Sequence, residues 1–225
     1  MIIVTKDGSH TVSIPGLNVT YHSHHGAIQE SMHVYINAGL APVITQHQPV
    51  IRMLEVGLGT GLNALLSLAE AENARQPIHY TAIELFPLHM QEVEQLNFCT
   101  KLNRSDLQPV FKNIHACEWE KDIVLSKHFT LKKIAIDLHH FNSMDDPDPG
   151  PYHLVYYDAF APTAQPELWT KEIFHKLKNL MTTGGLLVTY CSKSIVRSAM
   201  RAAGFKVEKV PGPRGKREMV KAFKI

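Results

Sequence analysis

The 225-residue sequence predicts an α/β fold with a mostly parallel sheet covered by helices on both faces. Three observations point there. From residue 51 to residue 203, short apolar runs alternate with stretches of helical spacing. The first apolar run, Ile51–Val56, ends in a cluster of glycines. The chain closes with two strand-like runs, 205–210 and 219–225, around a loop at 211–217, and such a hairpin must add an antiparallel strand.

The elements follow in order. Residues 1–20 read as two short strands with turns at Asp7-Gly8 and Pro15-Gly16. Residues 26–40 read as a helix carrying Ile28, Met32 and Ile36 inward, after which Pro42 and Pro49 break the chain. Ile51–Val56 is a buried strand. Leu62, Leu65, Leu66 and Ala69 give residues 62–74 the apolar face of a helix. Residues 78–85 form the next strand, and Pro87 opens a helix that runs to about Leu96. A helix is expected within 110–127, a third strand over 131–138 and a loop over the Asp/Pro/Gly-rich 142–151. The fourth strand covers 154–158, and a helix over 168–181 ends at Gly184-Gly185. The fifth strand is 186–191, and a helix over 194–203 closes at Gly204. Residues 1–48 are thus expected to form an N-terminal extension of strands and helix covering the active site, and 49–225 the main domain.

Composition narrows the class. Hydrophobic residues make up 44% and charged residues 20%, as in an ordinary globular protein, and no apolar run reaches membrane-spanning length. The start of the chain lacks a basic segment followed by an apolar one, so no secretory signal is expected. Cys99, Cys117 and Cys191 are few and scattered, which suits a reducing, cytoplasmic setting. The net charge of +2 hides an asymmetry: residues 171–225 carry 13 Lys/Arg against 3 Asp/Glu. A basic segment of this kind suits a polyanionic partner.

The run Glu55-Val56-Gly57-Leu58-Gly59-Thr60-Gly61 lies where a strand hands over to a helix. Nicotinamide-binding turns use G-x-G-x-x-G against a pyrophosphate. Here the third glycine comes one residue early, and Glu55 would repel a pyrophosphate. A cationic nucleoside such as S-adenosylmethionine, with its sulfonium and ammonium, fits better. Glu84 ends the next strand, where an acid can accept both ribose hydroxyls. Asp137, late in the third strand, is placed for the adenine amino group. Asp158 ends the fourth strand, and ligands of open α/β sheets bind beyond the carboxyl ends of strands. A carboxylate there can hold an amine and help remove its proton, and Phe160 can stack on a base.

Glu55–Asn63, the block Asp158-Ala159-Phe160-Ala161-Pro162 and Gln165-Pro166-Glu167-Leu168-Trp169 resemble the methyltransferase domain of the MnmC family. So do Tyr21-His22-Ser23 with Gly26-Ala27 and Glu30, His33-Val34-Tyr35-Ile36, and Arg214 to Met219. The resemblance implies a Rossmann-like class I methyltransferase with a seven-stranded sheet, using S-adenosylmethionine. It implies methylation of the 5-aminomethyl group of wobble (2-thio)uridine in tRNA. In two-domain members of that family an FAD-dependent oxidase domain prepares that group; the sequence carries no second dinucleotide motif and is expected only to methylate, with a separate FAD-dependent oxidase as one source of the aminomethyl group. Carried over by position, Gly57, Gly59, Gly61, Glu55, Asn63, Glu84, Asp137 and Asp158 bind cofactor. Tyr21, Ser23 and Glu30 close over its methionine end, and Asp158 and Phe160 serve catalysis.

Lys193, Arg197 and Arg201 are spaced for one helical stripe, and Arg214, Lys216 and Arg217 sit in the last hairpin loop. Both sets are expected to grip tRNA phosphates. His22, His24, His25, His139 and His140 lack metal-ligand spacing, so no metal is expected. A small-molecule amine methyltransferase and an aminopropyltransferase remain as alternatives.

Overall fold

A computed structural model describes residues 1–14, 19–142 and 151–225. The expected turn at Pro15-Gly16 and most of the loop over 142–151 lie outside the described residues. The chain opens with β1 (Ile2–Val4), β2 (His10–Ile14) and β3 (Val19–Thr20), an antiparallel three-stranded sheet. Residues 27–44 then form one continuous helical run, where the sequence predicts a helix ending near 40. Its middle, Met32–Leu40, has the wide i→i+5 turn of a π-helix. Pro42 does not break it: the run continues through the proline to Ile44, directly after the wide turns.

Among the described residues the main sheet holds eight strands: β4 (Ile51–Val56), β5 (Ile78–Ile83), β6 (Asp122–Ser126), β7 (Phe129–Ile134), β8 (Tyr152–Tyr157), β9 (Met181–Thr189), β10 (Phe205–Pro211) and β11 (Glu218–Lys224). Their order is β10-β11-β9-β8-β4-β5-β7-β6. The five central strands run parallel, and antiparallel hairpin strands close both edges. The eighth strand is β6, which the sequence reading absorbed into a helix over 110–127. The helix there, Gln108–Ala116, stops before an extended Cys117, and the chain returns as a short edge strand with Val124 exposed. Gly184 and Gly185 do not end a helix either; they lie inside β9, beside a shift in its register with β8.

Apolar side chains on the two faces of the sheet form two cores. In β4, alternate residues point to opposite faces, so Ile51 and Met53 enter one core and Leu54 and Val56 the other. Helix Leu62–Ala74 covers the first face, and helices Lys171–Leu180 and Ser194–Ala202 cover the second. The chain winds from β4 through β5 to β7, then returns to the other side of β4 as β8. This reversal opens a crevice between β4 and β8, at their carboxyl ends, as in other doubly wound sheets. Among the described residues no helix is long and apolar enough to cross a membrane.

Candidate active site

The crevice is a cavity of about 560 Å³. Its floor is the turn after β4, and its sides are the ends of β5 and β8, residues 136–139 and the N-terminal segment at Tyr21 and His22. Gly57, Gly59 and Gly61 all take positive φ, which side chains rarely tolerate. Two of them also admit a close neighbour. A Cβ at Gly59 would lie 2.9 Å from the Tyr21 ring, and one at Gly61 would lie 2.6 Å from His115 Nε2. Gly57 and Gly59 line the cavity; Gly61 sits behind it, opening the helix.

Two neutral histidines grip the turn at Thr60. His22 Nε2 meets Thr60 Oγ1 at 2.7 Å, and His115 Nε2 donates to the Thr60 carbonyl at 3.1 Å. Burial depresses both imidazoles to about 4. His22 is thus a clamp on the turn, a role invisible in the spacing of the histidines. Glu84 faces the cavity, where its two oxygens accept from the Gly59 and Phe86 amides at 2.9 and 2.8 Å. Leu85, Phe86, Ile136 and Leu138 add an apolar surface beside it. Asp137 also lines the cavity, but it stands beyond β7 rather than within it. Hydrogen bonds from His139, at 2.8 Å, hold its carboxyl below the usual range.

Asp158 follows β8 directly, and its amide donates to Val56 in β4 at 3.1 Å. Oδ1 accepts from the Tyr35 hydroxyl at 2.5 Å, and Oδ2 accepts from the Asn63 amide at 2.9 Å. Burial raises the carboxyl to about 7; Tyr35, Asn63 and Lys216 oppose that rise, and Glu30 adds to it. The residues after Asp158 are pinned at three points. Tyr190 donates to the Ala159 carbonyl at 2.9 Å, Gln165 accepts from the Phe160 amide at 3.0 Å, and Trp169 donates to the Phe160 carbonyl at 2.8 Å. Phe160 lines the cavity and meets the Tyr21 ring edge-on, centroids 5.1 Å apart.

Four expected assignments are corrected. Glu55 does not line the cavity: the pleat of β4 turns it into the core under helix Leu62–Ala74, where it accepts from Asn63 at 3.0 Å. Burial there pushes its carboxyl well above the usual range. Ser23 and Glu30 are off the cavity as well. Glu30 accepts from the Ser23 amide at 2.8 Å and pairs with Lys216, tying the N-terminal helix to the last hairpin. Lys216 also lies over the Tyr190 ring at 3.9 Å, so it points into the protein rather than out as a phosphate ligand. Lys193, Arg201, Arg214 and Arg217 are exposed, and Arg197 is half-buried. The stripe and the loop adjoin: Arg197 and Arg217 both act on the Glu218 carboxyl, as Lys193 and Lys216 do on the Cys191 thiol. Tyr35 was given no role by the sequence, although it stands within the His33–Ile36 match.

Residues present fit S-adenosylmethionine. Glu84, Asp137 and Asp158 give the cavity an acidic lining, and among the described residues no Lys or Arg lines it. That set suits a cationic nucleoside and repels a pyrophosphate.

Residues 104–225 match the model of the S-adenosyl-L-methionine-dependent methyltransferase family. The chain is also similar to bifunctional proteins named for tRNA 5-methylaminomethyl-2-thiouridine biosynthesis, MnmC. It is 28% identical over 211 residues to that of Azoarcus sp. strain BH72, covering 89% of this chain and 32% of the relative. It is 28% identical over 231 residues to that of Burkholderia pseudomallei strain K96243, covering 97% and 34%. The chain therefore spans about a third of the length of the curated relatives it matches. The crystal structure of MnmC2 from Aquifex aeolicus superposes with a TM-score of 0.78 at 25% identity, covering all of this chain and 69% of that one.

Proposed function

The chain belongs to the S-adenosyl-L-methionine-dependent methyltransferase family, and from that premise we propose that it methylates the 5-aminomethyl group of wobble uridine or 2-thiouridine in tRNA. The observation that carries this reading is Asp158, held by two donors at the wall of an acidic cavity beside the glycine turn. The names of the relatives and the exposed basic surface beside the last hairpin support the tRNA acceptor.

When bound, S-adenosylmethionine supplies an electrophilic methyl group on its sulfonium. The chain's task is to present a nitrogen lone pair in line with that methyl. An alkylamine arrives as its ammonium, without a lone pair. Asp158 attracts the ammonium, takes one of its protons and leaves the amine free to attack. The carbon–nitrogen bond forms as the carbon–sulfur bond breaks, and the proton on Asp158 passes to solvent after product leaves. A carboxyl raised to about 7 suits this exchange, because it binds and releases a proton near neutrality. Phe160 and Tyr21 form an aromatic pair at the cavity for the acceptor base to stack against. Glu84 and Asp137 are assigned to the ribose and adenine. Arg214, Arg217, Lys193, Arg197 and Arg201 are assigned to phosphates. We assign the aminomethyl precursor to a FAD-dependent oxidase outside residues 1–225, and a tRNA acceptor would put the reaction in the cytoplasm.

The test is transfer from labelled S-adenosylmethionine to tRNA carrying the wobble aminomethyl group, beside the same tRNA with that amine acetylated. Label in the free-amine tRNA alone is expected. Equal label in both, or label only in an added diamine, would contradict the reading and favour another acceptor.

A further inference from the structure

Asp158 is held from two sides by groups of different origin. Asn63 comes from the first turn after the glycine loop, and its amide is shared with Glu55. Tyr35 comes from the N-terminal helix, 123 residues earlier in the chain. Its side chain is 1% exposed, and its ring packs on Tyr156 with centroids 5.0 Å apart. It stands in the stretch of wide i→i+5 turns, Met32–Leu40. Such turns re-aim side chains and recur at functional sites. A phenylalanine would fill the same space without desolvating a hydroxyl. The hydroxyl is spent on one contact, the carboxylate of Asp158.

We propose that Tyr35 is the positioning residue for Asp158, its hydroxyl fixing the rotation of the carboxylate and stabilising the anion that receives the acceptor's proton. This rests on the reading of Asp158 as proton acceptor. With one lone pair of Oδ1 taken by Tyr35 and one of Oδ2 by Asn63, the carboxylate plane cannot spin. The remaining lone pairs are then presented in a fixed direction.

The other titratable groups around Asp158 leave this work to Tyr35. Glu30 from the N-terminal helix and Lys216 from the last hairpin are paired with each other, so their effects on the carboxylate oppose. Glu55 from β4 is pushed well up by burial and shares the Asn63 amide with Asp158. Tyr80 from β5 and Tyr190 after β9 are raised well above the ordinary phenol range and stay neutral. Tyr190 spends its hydroxyl on the Ala159 carbonyl.

Tyr35→Phe keeps the ring and removes the hydroxyl. Methyl transfer by the variant is measured from pH 6 to 9 on the aminomethyl tRNA. The acid limb of kcat is expected to move up by about one pH unit, so that turnover at pH 7 falls about fivefold and recovers above about pH 8.5. KM for S-adenosylmethionine is expected to be unchanged. A second measurement needs no acceptor: the carboxyl carbon of Asp158 is titrated by NMR in the free protein, assigned with Asp158→Asn. The same upward shift is expected in Tyr35→Phe. A fall in kcat equal at every pH, or an Asp158 titration identical in the two proteins, would overturn the proposal. If the parent protein fails to label the tRNA, the acceptor reading fails, while the NMR titration still decides the role of Tyr35.

Discussion

The two halves of the cavity are built in different ways. The half assigned to the cofactor is local: Gly57 to Thr60 come from one turn, and Glu84, Leu85 and Phe86 from the next strand end. The half assigned to the acceptor is assembled from afar. Asp158 meets Tyr35 across 123 residues and Asn63 across 95, and behind them Glu30 meets Lys216 across 186. A turn that binds a nucleoside can be specified by a short run of residues. A carboxylate tuned to work near neutrality needs partners from several layers of the fold.

This contrast should appear in separable losses. The largest is expected from Asp158→Ala: methyl transfer falls by about 10²–10⁴-fold, the usual weight of a general base. Affinity for S-adenosylmethionine, read by calorimetry, stays within about threefold. A parallel collapse of both would merge the two halves. Gly59→Ala should do the reverse. The residue has φ 51°, and its new Cβ meets the Tyr21 ring, so cofactor affinity is expected to fall about tenfold, from a strain of roughly 1–2 kcal/mol. Unchanged affinity would show that the turn relaxes freely.

Outside both halves, neutralising Arg214 and Arg217 together should weaken tRNA binding. It should also make the plot of log affinity against log salt shallower by about 1.5, for two lost phosphate contacts. The same slope in variant and parent would remove that loop from the interface. The smallest effect belongs to the histidine clamp on Thr60. His22 and His115 titrate at about 4 in the fold against an ordinary 6.5. Above 6.5 both states are neutral and stability is flat. As pH falls from 6.5 toward 4 the unfolded chain takes up protons that the fold refuses, so stability declines over that window. In urea denaturation, His22→Gln should decline less steeply there than the parent; identical curves would deny the clamp its role.

How much could be read without coordinates follows the same division. The glycine turn, the parallel strands and the closing hairpin rest on consecutive residues with clear patterns and stand in the structure, and Glu84 lies at the cavity wall. Glu55 misled because its place beside the glycines says nothing about which side of the pleat it faces. Lys216 looked like its basic neighbours until Glu30 was seen beneath it. Tyr35 is an ordinary buried aromatic in sequence; only the return of β8 to the side of β4 brings Asp158 to its hydroxyl. Strand β6 is hidden in the sequence because its apolar run is only Ile123, Val124 and Leu125, short enough to be absorbed into the helix expected over 110–127.

The most direct test of the proposed activity is the position of the methyl group itself. Aminomethyl tRNA is incubated with the protein and labelled S-adenosylmethionine, digested to nucleosides and separated. Label is expected in one product, the 5-methylaminomethyl form of the wobble (2-thio)uridine. Label in any other nucleoside, or a wobble nucleoside that stays unlabelled while another amine is methylated, would contradict it.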